Sequence, residues 1–186
     1  QPGYGRSGGK TFPCNSKFHL DKGGPCDVVL AFMEKMNIKK AYVGGYDWGA
    51  GIALTLIMKY PGIFKRAVVL CASYNEPTGN ELKCIVNPVL ILWEKLDQFH
   101  PWSKWSALAN KIPNKKIELL GLKKYTPECS WSTYAVCSDK IIRSVVMFLG
   151  FPDPTAPSQE LKEKIEHFSE LILQNDFNAL KQLRDI

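Results

Sequence analysis

Five residues, Gly45-Tyr46-Asp47-Trp48-Gly49, restrict the fold more than any other stretch of this 186-residue chain. Lys40-Ala41-Tyr42-Val43-Gly44, just before them, is apolar and rich in β-formers and reads as a brief buried strand. Ala50 to Tyr60, just after, carries no breaker beyond Gly51 and reads as a buried helix. A chain that passes from strand to helix over a single polar residue holds that residue in a strained backbone conformation, so its neighbours on the turn must be small. The polar side chain then projects alone above the sheet, and the backbone N–H of the next residue points at any charge that develops there. Asp beside Gly is also ordinary turn chemistry. The flanks have to decide.

The flanks argue for alternation of strand and helix. Val28, Val29, Ala31, Phe32, Met33 and Met36 make one apolar helix face, read as core packing. Pro61-Gly62 stops the helix after Gly49, and Arg66 to Ala72 is a continuous apolar strand. Ser73 to Ile85 is a short Asn/Pro/Gly-rich connection, and Val86 to Trp93 is the next strand. A helix over Pro101 to Lys111, a strand over Lys116 to Leu120 and a helix over Asp139 to Leu149 complete the pattern. Unbroken apolar strands between helices predict an α/β fold with a parallel sheet buried on both faces.

Composition removes several function classes. At 45% hydrophobic the chain can bury one core, and no run of about eighteen apolar residues is present to span a membrane. No signal peptide is visible, and a reducing, intracellular and by default cytoplasmic setting is expected, with disulfides left open. The net charge of +6 comes from scattered lysines, without the arginine-rich patch that nucleic-acid binding asks for. The six cysteines form no C-x-x-C, which argues against a metal site, and no cofactor is implied. Gln1 in place of Met suggests a processed product or a fragment.

A polar residue between glycines at a strand-to-helix turn is the nucleophile-elbow pattern. With Asp at its centre and Trp next, Gly45 to Gly49 resembles the epoxide hydrolases and haloalkane dehalogenases of the α/β-hydrolase fold. Pro2-Gly3-Tyr4-Gly5-Arg6-Ser7 resembles the loop after that fold's fourth strand, and Trp93-Glu94-Lys95-Leu96-Asp97 resembles the segment carrying its acid. The resemblance covers Gln1 to about Leu149. It implies Asp47 as nucleophile, Trp48 N–H as oxyanion donor beside Tyr46, and Asp97 as the acid that orients a histidine. The residues alone leave Asp97 open as a turn aspartate.

Three departures follow from the resemblance. The base should lie in the loop before the last helix, where Ser130 or Trp131 stands instead. The histidines are His19, His100 and His167, and His100, three residues after Asp97, lies on the wrong segment for the role. Ser73 to Ile85 is too short for the helical cap, and Tyr74 is its one tyrosine. The family's first strands precede Gln1, so the strand edge near Tyr42 should be covered by a missing segment or by a partner protein. Two readings result: a non-catalytic scaffold or subunit, favoured by the three departures together, and a hydrolase using Asp47 with a base from elsewhere.

The remainder divides off. Residues 1–149 read as a partial α/β-hydrolase-like domain, 150–157 as a proline-rich linker, and 158–186 as an amphipathic helical extension. Leu161, Ile165, Phe168 and Leu171 recur at helical spacing in that extension and could dock a partner or pack on the parent domain.

Overall fold

The computed structural model describes residues 6–8, 24–72, 79–95, 97, 100–120 and 139–151. The loop Gln1–Gly5, Tyr74, Ser130, Trp131, the linker beyond Phe151 and the extension with Leu161, Ile165, Phe168 and Leu171 lie outside them. The chain divides into two compact units, Gln1–Cys137 and Ser138–Ile186. In the first, helix α1 (Pro25–Lys35) leads into strand β1 (Ala41–Tyr46), helix α2 (Trp48–Lys59) and strand β2 (Phe64–Leu70). A 3-10 turn (Glu81–Cys84), strand β3 (Val89–Glu94), helix α3 (Trp102–Ala109) and strand β4 (Lys115–Leu120) follow.

The four strands form one parallel sheet in the order β1-β2-β3-β4. Each crossover carries the chain back across the sheet, so the carboxyl ends of all four strands share one edge. The register sets Tyr46 beside Leu70, Leu70 beside Leu92, and Trp93 beside Leu119. β3 is buried at every position, the signature of a strand covered on both faces. Val89, Leu90 and Leu92 are fully buried, and burying each such side chain stabilises the fold by about 1.5–3 kcal/mol. Leu54 of α2 and Leu108 of α3 close over Val69, Ile91 and Trp93, which puts both helices on one sheet face. The sheet core thereby anchors the edge that carries the site.

Among the described residues β1 is an edge strand. Its residues are half-buried or exposed, and Tyr42 is 47% exposed, as expected for an edge. The apolar face read on α1 is narrower than its sequence suggested. Met33 is buried, but Phe32 is 50% exposed and Ala31 faces out, because α1 touches α2 along only one side. In the second unit, helix α4 (Asp139–Leu149) has the predicted bounds. Gly150 ends it at φ 91, its N–H donating to Met147 O (3.1 Å) and the Phe151 N–H to Val146 O (3.0 Å). That pairing closes a helix through a left-handed residue, which glycine adopts without penalty. No helix among the described residues is long and apolar enough to cross a membrane.

Candidate active site

The turn after β1 is as tight as its sequence requires. Asp47 has φ 53 and ψ −117, outside both right- and left-handed helical regions. Its N–H donates to Leu70 O (3.1 Å) and its C=O accepts from Ala50 N–H (3.1 Å), so β2 on one side and α2 on the other hold the residue in that conformation. A Cβ on Gly45 would strike the Gly49 carbonyl and come within 2.6 Å of Ala50 N, whereas a Cβ on Gly49 meets nothing within 4 Å. The first glycine is therefore a steric necessity and the second is not. Asp47 stands at the N-cap of α2, yet its side chain makes no capping hydrogen bond. A turn aspartate would use its carboxylate there. Asp47 Oδ1 instead is shielded from solvent and has no hydrogen-bond partner. Trp48 opens α2, where the first N–H groups have no partner within the helix and the dipole favours negative charge. Tyr46, half-buried, closes β1 opposite Leu70.

Two strands away, Asp97 is buried just beyond β3. Its Oδ1 accepts the backbone N–H of His100 (2.9 Å), and its Oδ2 lies 3.2 Å from His100 Nδ1. Asp97 thus bonds the backbone of His100 as a turn aspartate does, and its second oxygen lies beside the His100 ring. A neutral ring that donates through Nδ1 to this carboxylate has its Nε2 lone pair facing Asp47. Nε2 lies 3.8 Å from Asp47 Oδ1, with His100 16% exposed and Asp47 36% exposed at the side chain. The imidazole stands between the two carboxylates.

His100, expected from its segment to lie away from the elbow, is brought to within 3.8 Å of Asp47 Oδ1. A base after β4 is what the family resemblance implies; His100 instead follows β3. Asp97 accepts the N–H of the residue three positions on, and the His100 ring stands between Asp97 and the end of β1. An Asp-x-x-His spacing directly after a buried strand was the available signal.

Cys71 ends β2 between these groups. Its Sγ accepts the Glu94 N–H (3.3 Å), and burial pushes its thiol up to about 12. It is a packed neutral group and no competing nucleophile.

With this geometry in place, comparison with known proteins is informative. A family model described as alpha/beta hydrolase fold matches residues 1–83. The chain has the α/β-hydrolase fold. Among solved structures it resembles a predicted CIB-like hydrolase from Thermoplasma acidophilum, at 20% identity and TM-score 0.63, over 80% of this chain and 68% of that one. An enol-lactonase from Burkholderia xenovorans LB400 aligns at 14% identity and TM-score 0.63, over 79% and 77% of the two chains. A meta-cleavage product hydrolase from Pseudomonas fluorescens IP01 aligns at 17% identity and TM-score 0.56, over 67% and 70%. At these identities the likeness speaks for the α/β-hydrolase fold alone. Curated proteins yield no match.

Proposed function

We propose that this protein is a hydrolase that works through an ester on Asp47, with His100 as base and Asp97 as the group orienting it. The reading rests on one observation: His100 Nε2 lies 3.8 Å from Asp47 Oδ1 while its Nδ1 lies 3.2 Å from Asp97 Oδ2. Nucleophile, base and orienting acid are all supplied by this chain.

The chemistry has two stages. An Asp47 oxygen forms a bond to an electrophilic carbon as that carbon's bond to halide or epoxide oxygen breaks, the electron pair leaving with the heteroatom. A carboxylate oxygen without hydrogen bonds is the better nucleophile, and Oδ1 is one. His100 Nε2 then takes a proton from water, whose oxygen adds to the ester carbonyl carbon. Trp48 N–H donates to the oxyanion so formed. The alcohol leaves with the proton the imidazolium returns, and Asp97 stabilises that cation while it exists. Epoxides and haloalkanes are the substrate class because the Asp-Trp elbow resembles the enzymes that use them.

The test is intact mass after incubation with an epoxide and a haloalkane probe. Wild type is expected to turn over without a lasting adduct. His100→Gln should retain one probe mass on Asp47, its hydrolysis slowed roughly 10²–10⁴-fold, and Asp47→Asn should take up none. Turnover in ¹⁸O-water should label the Asp47 carboxylate. Absence of both turnover in wild type and adduct in His100→Gln would sink the proposal.

That negative outcome would favour the scaffold reading, which keeps one observation of its own. The β1 edge at Tyr42 is open among the described residues, and a partner strand or further segment pairing there would cover it.

A further inference from the structure

Trp93 is an unusual residue to find in the middle of a parallel sheet. It is 2% exposed in β3, and the sheet register and two flanking rings fix its indole in place. Trp102 and Trp105 of α3 stack obliquely on it, with ring centroids 5.3 and 5.8 Å away. The indole has one polar atom, and burying an N–H without a partner is costly. Nε1 donates to the backbone carbonyl of His100 at 2.8 Å.

That bond completes a set. The His100 N–H is held by Asp97 Oδ1, the ring by Asp97 Oδ2, and the carbonyl by Trp93. Both Asp97 contacts depend on a single carboxylate. The third contact comes from a separate residue, on β3, a strand buried at every position. We infer that Trp93 is a positioning residue for His100, its indole N–H fixing the His100 main chain so that the imidazole stays seated between Asp97 and Asp47. The inference rests on the reading of His100 as base, and gives that base a support that the elbow motif does not encode. The distance at stake is small, but a displacement of about 1 Å at a reacting group costs on the order of 10²-fold in rate.

A buried donor paired merely to avoid a penalty would predict something different, so the test must read the imidazole itself. Histidine occurs at three positions only, which makes ¹⁵N-histidine spectra assignable by substitution. In wild type, His100 should give one tautomer, protonated at Nδ1. In Trp93→Phe, which keeps an aromatic ring and drops the donor, that single state should give way to a mixture. Ester hydrolysis on Asp47 should slow at least about tenfold with KM unchanged. Should Trp93→Phe fail to fold, benzothienylalanine at position 93 keeps the indole shape with sulfur in place of N–H and reads the same quantity. Unchanged His100 signals in a folded variant lacking the donor would overturn the inference. The outcomes separate from those for the hydrolase reading. A tautomer lock that depends on Trp93 without any ester on Asp47 would keep the positioning role and remove the catalysis. Normal ester turnover with His100 indifferent to the donor would do the reverse.

Discussion

Asp47 carries two costs in one residue. Its backbone sits at φ 53 and ψ −117, where a side chain is strained by about 1–3 kcal/mol. Its Oδ1 is shielded from water without a hydrogen bond, a further cost of about 1–3 kcal/mol. Neither is offset by capping of α2, since the carboxylate makes no cap bond. Asp47→Gly removes both, because glycine adopts positive φ freely and serves tolerably at an N-cap. The variant should gain about 1–3 kcal/mol in urea unfolding while losing all capacity to form an ester. A loss of stability instead would mean that the carboxylate is held by the α2 dipole or by His100 more strongly than its strain costs. A destabilising aspartate at the mouth of a helix is what the proposed nucleophile role would exchange for stability.

At the scale of elements, the strand–turn–helix unit divides its demands unequally between its glycines. Gly45→Ala drives a methyl group into the Gly49 carbonyl, backbone against backbone, and should cost about 3 kcal/mol or more. Gly49→Ala enters open space in the first turn of α2 and should be neutral or stabilising, by up to about 1 kcal/mol. Thermal melts of the two variants decide it, and equal losses would refute the asymmetry. The same unit explains what the sequence made legible. Ala67 to Val69 of β2 and Val89 to Trp93 of β3 are apolar and buried, a run that reads as a covered strand once glycine and proline punctuate it. The elbow was legible because sterics leave few residue types there. α1 was less so, since an amphipathic stripe does not say how wide the groove receiving it is, and Phe32 ended half exposed. His100 was not found from the elbow motif because its place depends on a side-chain hydrogen bond, Asp97 Oδ1 to a backbone N–H, which hydrophobic periodicity does not register.

At the scale of the molecule, two buried thiols report whether the first unit behaves as one cooperative body. Cys26 lies at the α1–α2 contact, its Sγ facing the Ile52 carbonyl, and Cys71 lies at the carboxyl end of β2. Burial raises Cys26 from the ordinary 9.0 to about 11 and Cys71 to about 12. In the unfolded chain both lose their protons near pH 9, while in the folded protein they keep them. The unfolded state then binds fewer protons, so stability is full below pH 9 and falls as pH rises toward 11 and 12. Each thiol should contribute a decline of about 1.4 kcal/mol per pH unit in that window. Urea unfolding at pH 9 and pH 10 should therefore show a shallower decline in Cys26→Ala and in Cys71→Ala than in wild type. The double variant should be shallower by the sum, because the two thiols face different elements, Ile52 of α2 and Glu94 of β3. Ionisation of lysines and tyrosines is common to all four proteins and cancels in the comparison. A slope unchanged by either substitution would mean that the thiol reaches solvent in the folded state. Flattening in one variant alone would mean that the helix layer and the active-site edge of the sheet open separately.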